Sequence, residues 1–318
     1  MLIVKKYTTG PEIVEIYNIF ALFLLHGRSP MNTQRIRILL AAIDYGSFTR
    51  AGAELGYTQS YLTQTMKSFE EEIGFPLLIK TNRGVEPTNE ARMLLPSMRQ
   101  LISCEEKVSQ EMAEIQGIKR GTIKIGSFVS TSVHWVPKIL EYFQNNYPDV
   151  VFQIEELGHD ELIRGLIDGS LDIALMSKPE KANIDFIPVL DDPMLVVFPP
   201  KYDLSSYDYV PVEILKKYPF IMTYRSYDKD PHKVFDDAGI SPEVRYYSRD
   251  DFAVLAMVQR GLGLAILPEL TVEEYPGVYD CRMLAPEAYR TMGIGIRSLE
   301  DAGPLARFVI KFIKENIH

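Results

Sequence analysis

The chain has 318 residues, 46% of them apolar and 24% charged, with a formal net charge of −9. That length supports two or three domains with sizeable cores, and the acidic balance excludes a polycation that coats nucleic acid by charge alone. Two cysteines far apart in sequence, Cys104 and Cys281, have no metal-ligand company, which excludes a disulfide framework and fits a reducing compartment.

The most apolar run, Ile16 to Leu25 (IYNIFALFLL), follows Lys5 and Lys6. It is too short to span a bilayer, and the HGRSP after it is no small-residue cleavage site. A second methionine, Met31, opens a segment that makes sense on its own, so residues 1–30 are expected to lie outside the fold. Asn32 can cap a helix with apolar positions at Ile36, Leu39, Leu40 and Ile43. Gly46 to Glu70 then reads as two short helices meeting at a tight turn. Phe48, Ala51 and Leu55 give the first an apolar face, and Leu62, Met66, Phe69 and Ile73 give the second one. Gly56 supplies the turn, where positive φ is needed.

The outer face of the second helix carries Gln59, Ser60, Thr63, Gln64 and Lys67, the hydrogen-bonding chemistry that reading base edges requires. The same pattern fits all-α domains that touch no nucleic acid. Phe75 to Ile79 and Val85 to Thr88, around a basic turn, predict a β-wing whose Lys80 and Arg83 can hold phosphates. An ordinary solvent-facing hairpin fits equally. Charge argues against DNA, because residues 31–90 hold six basic against seven acidic side chains.

From Asn89 to about Gly117 the positions Leu94, Met98, Leu101, Glu105, Val108, Met112 and Ile115 step by four and three. That is a heptad seam broken at Glu105, with Pro96 marking a kink or restart near its start. It predicts a dimerising linker helix, or one helix packed on its own domain. From Gly121 the pattern is α/β. Strands at 122–126, 150–155 and 171–176 alternate with helices at 136–147 and 160–168, and Ser127 to Ser132 supplies hydroxyls ahead of the first helix. This predicts a parallel sheet covered by helices.

A second set follows, with strands at 194–198, 220–223, 243–247 and 264–267 and helices at 211–217, 229–238 and 250–260. A strand at 290–297 returns to the first half and a closing helix spans 304–317. Two lobes joined by crossing strands leave a cleft for a small ligand at strand carboxyl ends. Gly261-Leu262-Gly263 lacks the third glycine of a dinucleotide loop and reads as a helix stop before a buried strand. No nucleophile, metal-ligand or cofactor constellation emerges, so neither an enzyme nor a metal site is expected, and a stand-alone solute-binding protein is the alternative.

With both halves laid out, the chain resembles the LysR-type transcriptional regulators over residues 31–318. The resemblance rests on GSFTRAGAEL, on Tyr57 to Gln64 with Phe69-Glu70, on PLLIKTNRGVEPT, and on ILEYFQNNYPDV, GSLDIALM and GLGLAILPE in that order. It implies a winged helix-turn-helix domain at 31–89, a dimerising linker helix at 90–120 and a two-lobed α/β effector domain at 121–318, like periplasmic binding proteins. It further implies a cytoplasmic homodimer or homotetramer that binds double-stranded DNA, responds to a small-molecule effector and has no membrane partner.

Carried over by position, Ser47, Thr49, Arg50, Gln59, Ser60, Thr63, Gln64, Lys67 and Arg83 fall where the family contacts DNA. Tyr61 stands where a small residue is usual, and Lys80 where an arginine is usual. Ser127, Ser130 and Thr131 match the first ligand loop, Glu156, Gly158 and His159 the second, and Thr223 with Tyr224 a wall from the other lobe. Hydroxyls ahead of a helix N-terminus favour an anion, with a small carboxylate as the simplest guess.

Overall fold

The computed structural model describes residues 32–81, 84–115, 119–273, 275 and 277–317. The segment 1–30 and the wing residue Arg83, both singled out above, lie outside the described residues. The chain divides into two compact units at Ile102/Ser103.

In the first unit, α1 (Thr33–Asp44), α2 (Phe48–Leu55) and α3 (Gln59–Ile73) each start on a polar cap. Asn32 accepts from the Gln34 N–H at 2.8 Å, Ser47 from Arg50 at 3.4 Å and Thr58 from Tyr61 at 3.3 Å. Their apolar faces meet in one core. Ile36 and Leu39, Phe48 and Ala51, and Leu62, Met66 and Phe69 pack there with Leu77 and Val85. Gly56 ends α2 with φ of 72°. One turn earlier, a side chain on Gly52 would bring its Cβ within 2.7 Å of the Tyr57 carbonyl oxygen, so the two helices close on a glycine. The wing is an antiparallel pair, β1 (Leu78–Thr81) and β2 (Gly84–Pro87), with Leu78 opposite Pro87.

The long helix α4 (Asn89–Ile115) contains Pro96 without interruption. Thr88 begins it: its hydroxyl accepts from the Ala91 N–H at 3.1 Å and donates to the Pro76 carbonyl at 3.0 Å. The positions of the seam expected on this helix differ in exposure. Leu94, Leu101, Val108, Met112 and Ile115 are exposed, but Met98 is only 2% exposed and packs with Ile102 into the first unit's core. Further along, within the second unit, Gln110 donates to the Thr122 carbonyl at 3.3 Å and Lys107 to the Asp301 carbonyl at 3.1 Å.

The second unit is built on β3 (Gly121–Ser127), α5 (Val129–His134), α6 (Val136–Asn146), β4 (Val150–Glu156), α7 (His159–Asp168) and β5 (Ile173–Ser177). There follow β6 (Asp185–Phe198), β7 (Tyr209–Pro211), β8 (Pro219–Thr223), α8 (Asp230–Ala238), β9 (Glu243–Ser248) and α9 (Asp251–Gln259). Then come β10 (Ala265–Pro268), α10 (Glu269–Glu273), β11 (Asp280–Ala285), β12 (Tyr289–Ile296) and α11 (Pro304–Asn316).

Three expectations change here. The hydroxyl-rich stretch is itself a short helix, α5. The strand expected at 194–198 starts at Asp185, because Phe186, Ile187, Val189 and Leu190 face the first lobe's core. The sheet is mixed rather than parallel. β3 runs parallel to β4 and β5, but β12 is antiparallel to both β5 and β6.

The strand order is β4-β3-β5-β12-β6-β11-β7, with β10 also on β6. Asp185 to Pro193 of β6 pairs with β12, and Met194 to Phe198 pairs with β10 and β11. One strand therefore serves two lobes. The first lobe's core gathers Ile123, Ile125, Phe143, Leu166 and Val309; the second lobe has separate clusters around Phe220 and around Leu255.

Candidate functional site

Two sites were expected, one in each unit. In the first unit, α3 is fixed by Leu62, Met66 and Phe69, all buried, and this turns Gln59, Ser60, Gln64 and Lys67 into solvent. Thr49 and Arg50 on α2 and Lys80 on β1 are also exposed, while Ser47 and Thr63 are half-buried. Thr63 is partly committed, since its hydroxyl donates to the Gln59 carbonyl at 2.9 Å. Tyr61, the odd residue of the strip, is 45% exposed and leans on Tyr57, ring centroids 5.0 Å apart. Gln34 donates to both phenol oxygens, at 3.0 Å and 3.4 Å.

The acidic count of this unit is softened by where its carboxylates go. Glu70 accepts from the backbone N–H groups of Leu77 and Leu78 at 2.7 Å and 3.0 Å, Glu72 pairs with Arg35, and Asp44 with Arg99 at 3.0 Å. Lys67 meets Glu71 at 3.7 Å, an exposed pair of little strength. Arg50 and Lys80 form no ion pair among the described residues.

In the second unit the expected ligand residues divide. Ser127 and Thr131 are buried with their hydroxyls 2.8 Å apart and each 3.0 Å from the Phe128 carbonyl, so one hydroxyl donates to the other, which donates to that carbonyl. Two of the hydroxyls behind the anion expectation are thus committed to the fold, while that of Ser132 is buried without a hydrogen-bond partner. Ser130, 2% exposed, accepts from Arg290 at 2.9 Å. Glu156 is exposed at the end of β4. Gly158 and His159 touch the other lobe. A Cβ on Gly158 would lie 2.7 Å from the Tyr227 ring, and the His159 N–H donates to the Tyr227 carbonyl at 2.8 Å. Burial and then the Lys229 charge lower the His159 imidazole below its usual range, so it is neutral. Thr223 is buried with its hydroxyl unpartnered. Tyr224 is exposed and pairs with Tyr247 at 5.4 Å.

A charged centre on the crossing strands was missed by sequence reasoning. Arg290 on β12 and Asp192 on β6 are 4% and 1% exposed. Arg290 donates twice to Asp192 Oδ2, at 2.9 Å and 2.8 Å, while Asp192 Oδ1 accepts from the Leu270 N–H at 3.1 Å. Around them lie Asp228, Asp230 and Asp251. Burial and then Asp230 push the Asp228 carboxyl well above the usual carboxylate range, and burial pushes Asp251 up to about 6. No local signal reveals the cluster, because its pair is separated by 98 residues in sequence.

Across the edge of the lobes Lys229 meets Asp160 at 2.6 Å, beside an open recess of about 480 Å³ that Arg164, Tyr227 and Arg249 help line. Among the described residues no group of three His, Cys, Asp or Glu is placed to hold a metal ion, and no helix is long and apolar enough to cross a membrane.

Residues 33–92 match the family model described as a bacterial regulatory helix-turn-helix protein, lysR family, and residues 116–317 match the LysR substrate binding domain. A transcriptional regulator of Bacillus subtilis described as uncharacterised, YvbU, is 27% identical over 90% of this chain and 98% of its own length. Full-length OxyR from Pseudomonas aeruginosa superposes with a TM-score of 0.71 at 21% identity, covering 90% of this chain and 95% of that one. CbnR, solved with its target DNA, superposes with a TM-score of 0.63 at 16% identity, covering 90% and 99%.

Proposed function

Because the chain belongs to the LysR family of bacterial helix-turn-helix regulators, and so is a DNA-binding transcription regulator with an effector-binding domain, we propose a role for each of its two sites. The strip on α3 reads base edges through Gln59, Ser60 and Gln64. Ser47, Thr49, Thr63 and Tyr61 flank those contacts, and Arg50, Lys67, Lys80 and Arg83 hold phosphates. The observation that carries this reading is the division of α3, with one face locked in a core and the other polar and solvent-facing.

The exposed seam Leu94, Leu101, Val108, Met112 and Ile115 pairs two copies, which doubles the phosphate contacts of a unit with little net charge. Two dimers then assemble into the tetramer. Half-sites should lie about one helical turn apart, or a multiple of it. The cleft at the crossing strands takes the small effector, and its occupancy biases lobe closure and the placement of the paired reading helices. The protein acts in the cytoplasm, where its DNA is, and carries out no chemistry of its own.

The test is fluorescence anisotropy on the chain's own upstream promoter region against random DNA across a salt series. Gln64→Ala is expected to lose about 1–3 kcal/mol of discrimination, and Lys80→Ala to lower the salt slope by about 1 with sequence preference intact. A complex with no preference over random DNA would refute the assignment of α3 as the reading helix.

A further inference from the structure

We propose that the open recess at the edge of the two lobes is a second ligand site, separate from the crossing-strand cleft, and that it takes a small organic phosphate, a phosphomonoester. The inference goes beyond the effector reading of the cleft. None of Ser127, Ser130, Thr131, Glu156, Thr223 and Tyr224 lines this recess.

The first ground is the recess itself. Its volume is about 480 Å³, and small-molecule sites typically span roughly 300–1,000 Å³. Its walls come from both lobes. The first lobe supplies the opening turns of α7, with Arg164, and the loop between β5 and β6, with Lys181. The second lobe supplies Tyr227 and Lys229 from the stretch before α8, and Arg249 just after β9.

The second ground is a charge inventory. Two carboxylates share the recess with these cations, and both are engaged. Asp160 accepts from Lys229 at 2.6 Å, a bond that holds its carboxyl below the usual carboxylate range. Glu161 turns back on its own helix and accepts from the Gly158 N–H at 3.1 Å. Arg164 uses its Nε alone, on the Asp160 carbonyl at 3.1 Å, which leaves its terminal nitrogens over. The Lys181 and Arg249 side chains form no ion pair or hydrogen bond among the described residues. Their neighbours in sequence do not serve them either. Glu180 faces Lys233 at 3.8 Å, and Asp250 caps α9 by accepting from Phe252 and Ala253. Arg225 and Arg245, on the same lobe, each put two nitrogens on a carboxylate. In a chain of net charge −9, the recess thus gathers three cations that lack one.

The class of ligand follows from these donors. Two guanidinium groups and an ammonium offer more donors than the two oxygens of one carboxylate can use. A phosphomonoester brings three terminal oxygens and a charge of about −1.5 to −2 at neutral pH, and guanidinium forks match its geometry. The recess is larger than a phosphoryl group fills, and Tyr227 and Ile163 add apolar surface for the carbon part of an ester.

Such a ligand also acts on the lobes. The His159 N–H donates to the Tyr227 carbonyl at 2.8 Å, and Lys229 ties the stretch before α8 to Asp160 on α7. A phosphate held by Arg164 and Lys181 from one lobe and Arg249 from the other adds a third tie. It therefore favours this arrangement of the lobes over a more open one.

The test uses the full-length protein in phosphate-free buffer, with phenyl phosphate and glycerol 3-phosphate as ester probes. Inorganic phosphate, benzoate and succinate are the comparisons, with sodium chloride holding ionic strength constant. In thermal-shift and calorimetric titrations at least one ester should raise the melting temperature by mass action. It should bind about tenfold more tightly than inorganic phosphate or either carboxylate.

Arg164, Lys181 and Arg249 are all exposed, so Arg164→Gln, Lys181→Gln and Arg249→Gln should fold. Each should weaken the responding ester about tenfold, whereas Arg245→Gln, outside the recess, should leave it unchanged. Stabilisation by no ester, or equally by inorganic phosphate or a carboxylate, would overturn the proposal. So would unchanged ester binding in the Arg164→Gln/Arg249→Gln double variant. Loss of the shift in Lys80→Ala instead would place the ester on the DNA-reading unit and overturn it too. An effect confined to Arg249→Gln would overturn the bridging of the lobes.

Discussion

The polar strip of α3 and the charge cluster on the crossing strands are built on opposite plans. The strip is local: its residues fall within one helix, and they face solvent because Leu62, Met66 and Phe69 hold the opposite face in the core. The cluster is non-local. Arg290 and Asp192 meet only because β12 and β6 pair through the middle of the sheet, with Arg290 opposite Asp192 in the register. The strip can lose one side chain with the fold intact, whereas the cluster is part of what holds the two lobes on one sheet. An exposed strip on one helix is therefore tolerant of change, and a buried charge pair on which two lobes meet is not.

The largest effect that tests this contrast is expected from Arg290→Ala. It strips a completed buried pair and leaves Asp192 uncompensated among three more carboxylates. Urea unfolding should show a loss of roughly 3–5 kcal/mol. If Gln64→Ala in the strip costs as much stability as Arg290→Ala, the contrast is wrong.

A smaller effect follows from pH. The Asp251 carboxyl is raised in the folded state, so its proton stabilises the fold. That contribution is full below the unfolded carboxylate value near 4 and is lost as pH rises through about 6. Asp228 shifts in the same direction and reinforces the trend. His159 and His232 are lowered by burial and act oppositely, gaining stability as pH rises towards the free imidazole value. The variant isolates the carboxylate. Melting temperatures of Asp251→Asn and the parent should coincide near pH 4 and separate above pH 6, the variant being the more stable, by a few degrees. A constant gap across that range would remove Asp251 from the account.

The smallest effect belongs to the strip's scaffold. Thr58→Ala removes the side chain that accepts the Tyr61 N–H at the start of α3, and should cost about 1 kcal/mol in denaturant unfolding. Its larger consequence should appear in DNA affinity, because the first turn of α3 carries Gln59, Ser60 and Tyr61.

What could be read in advance follows the same division. Asn32, Ser47 and Gly56 announced helix ends by their own chemistry, and the four-three spacing of Leu62, Met66 and Phe69 announced the buried face. Met98 was misassigned because one helix serves a core at one end and an open seam at the other, and spacing alone does not say where the change occurs. Ser127 and Thr131 stand in the expected ligand loop, but nothing local says that their hydroxyls turn inward to each other. Asp192 and Arg290 were invisible for a simpler reason, since a contact across 98 residues leaves no periodicity. The charge total of residues 31–90 misled in the other direction, because a count does not distinguish Glu70, committed to backbone, from a carboxylate facing solvent.

That Glu70 has a mechanical consequence. Its carboxylate grips the two amides at the entry to β1 while its own backbone belongs to α3, so the wing has no hinge of its own. The distance from Gln64 to Lys80 is set before DNA arrives, within the play of two hydrogen bonds. Such a unit prints onto a duplex as a stamp does, and adjustment to groove width falls to the DNA. Glu70→Gln would soften the stamp while leaving every contacting side chain in place.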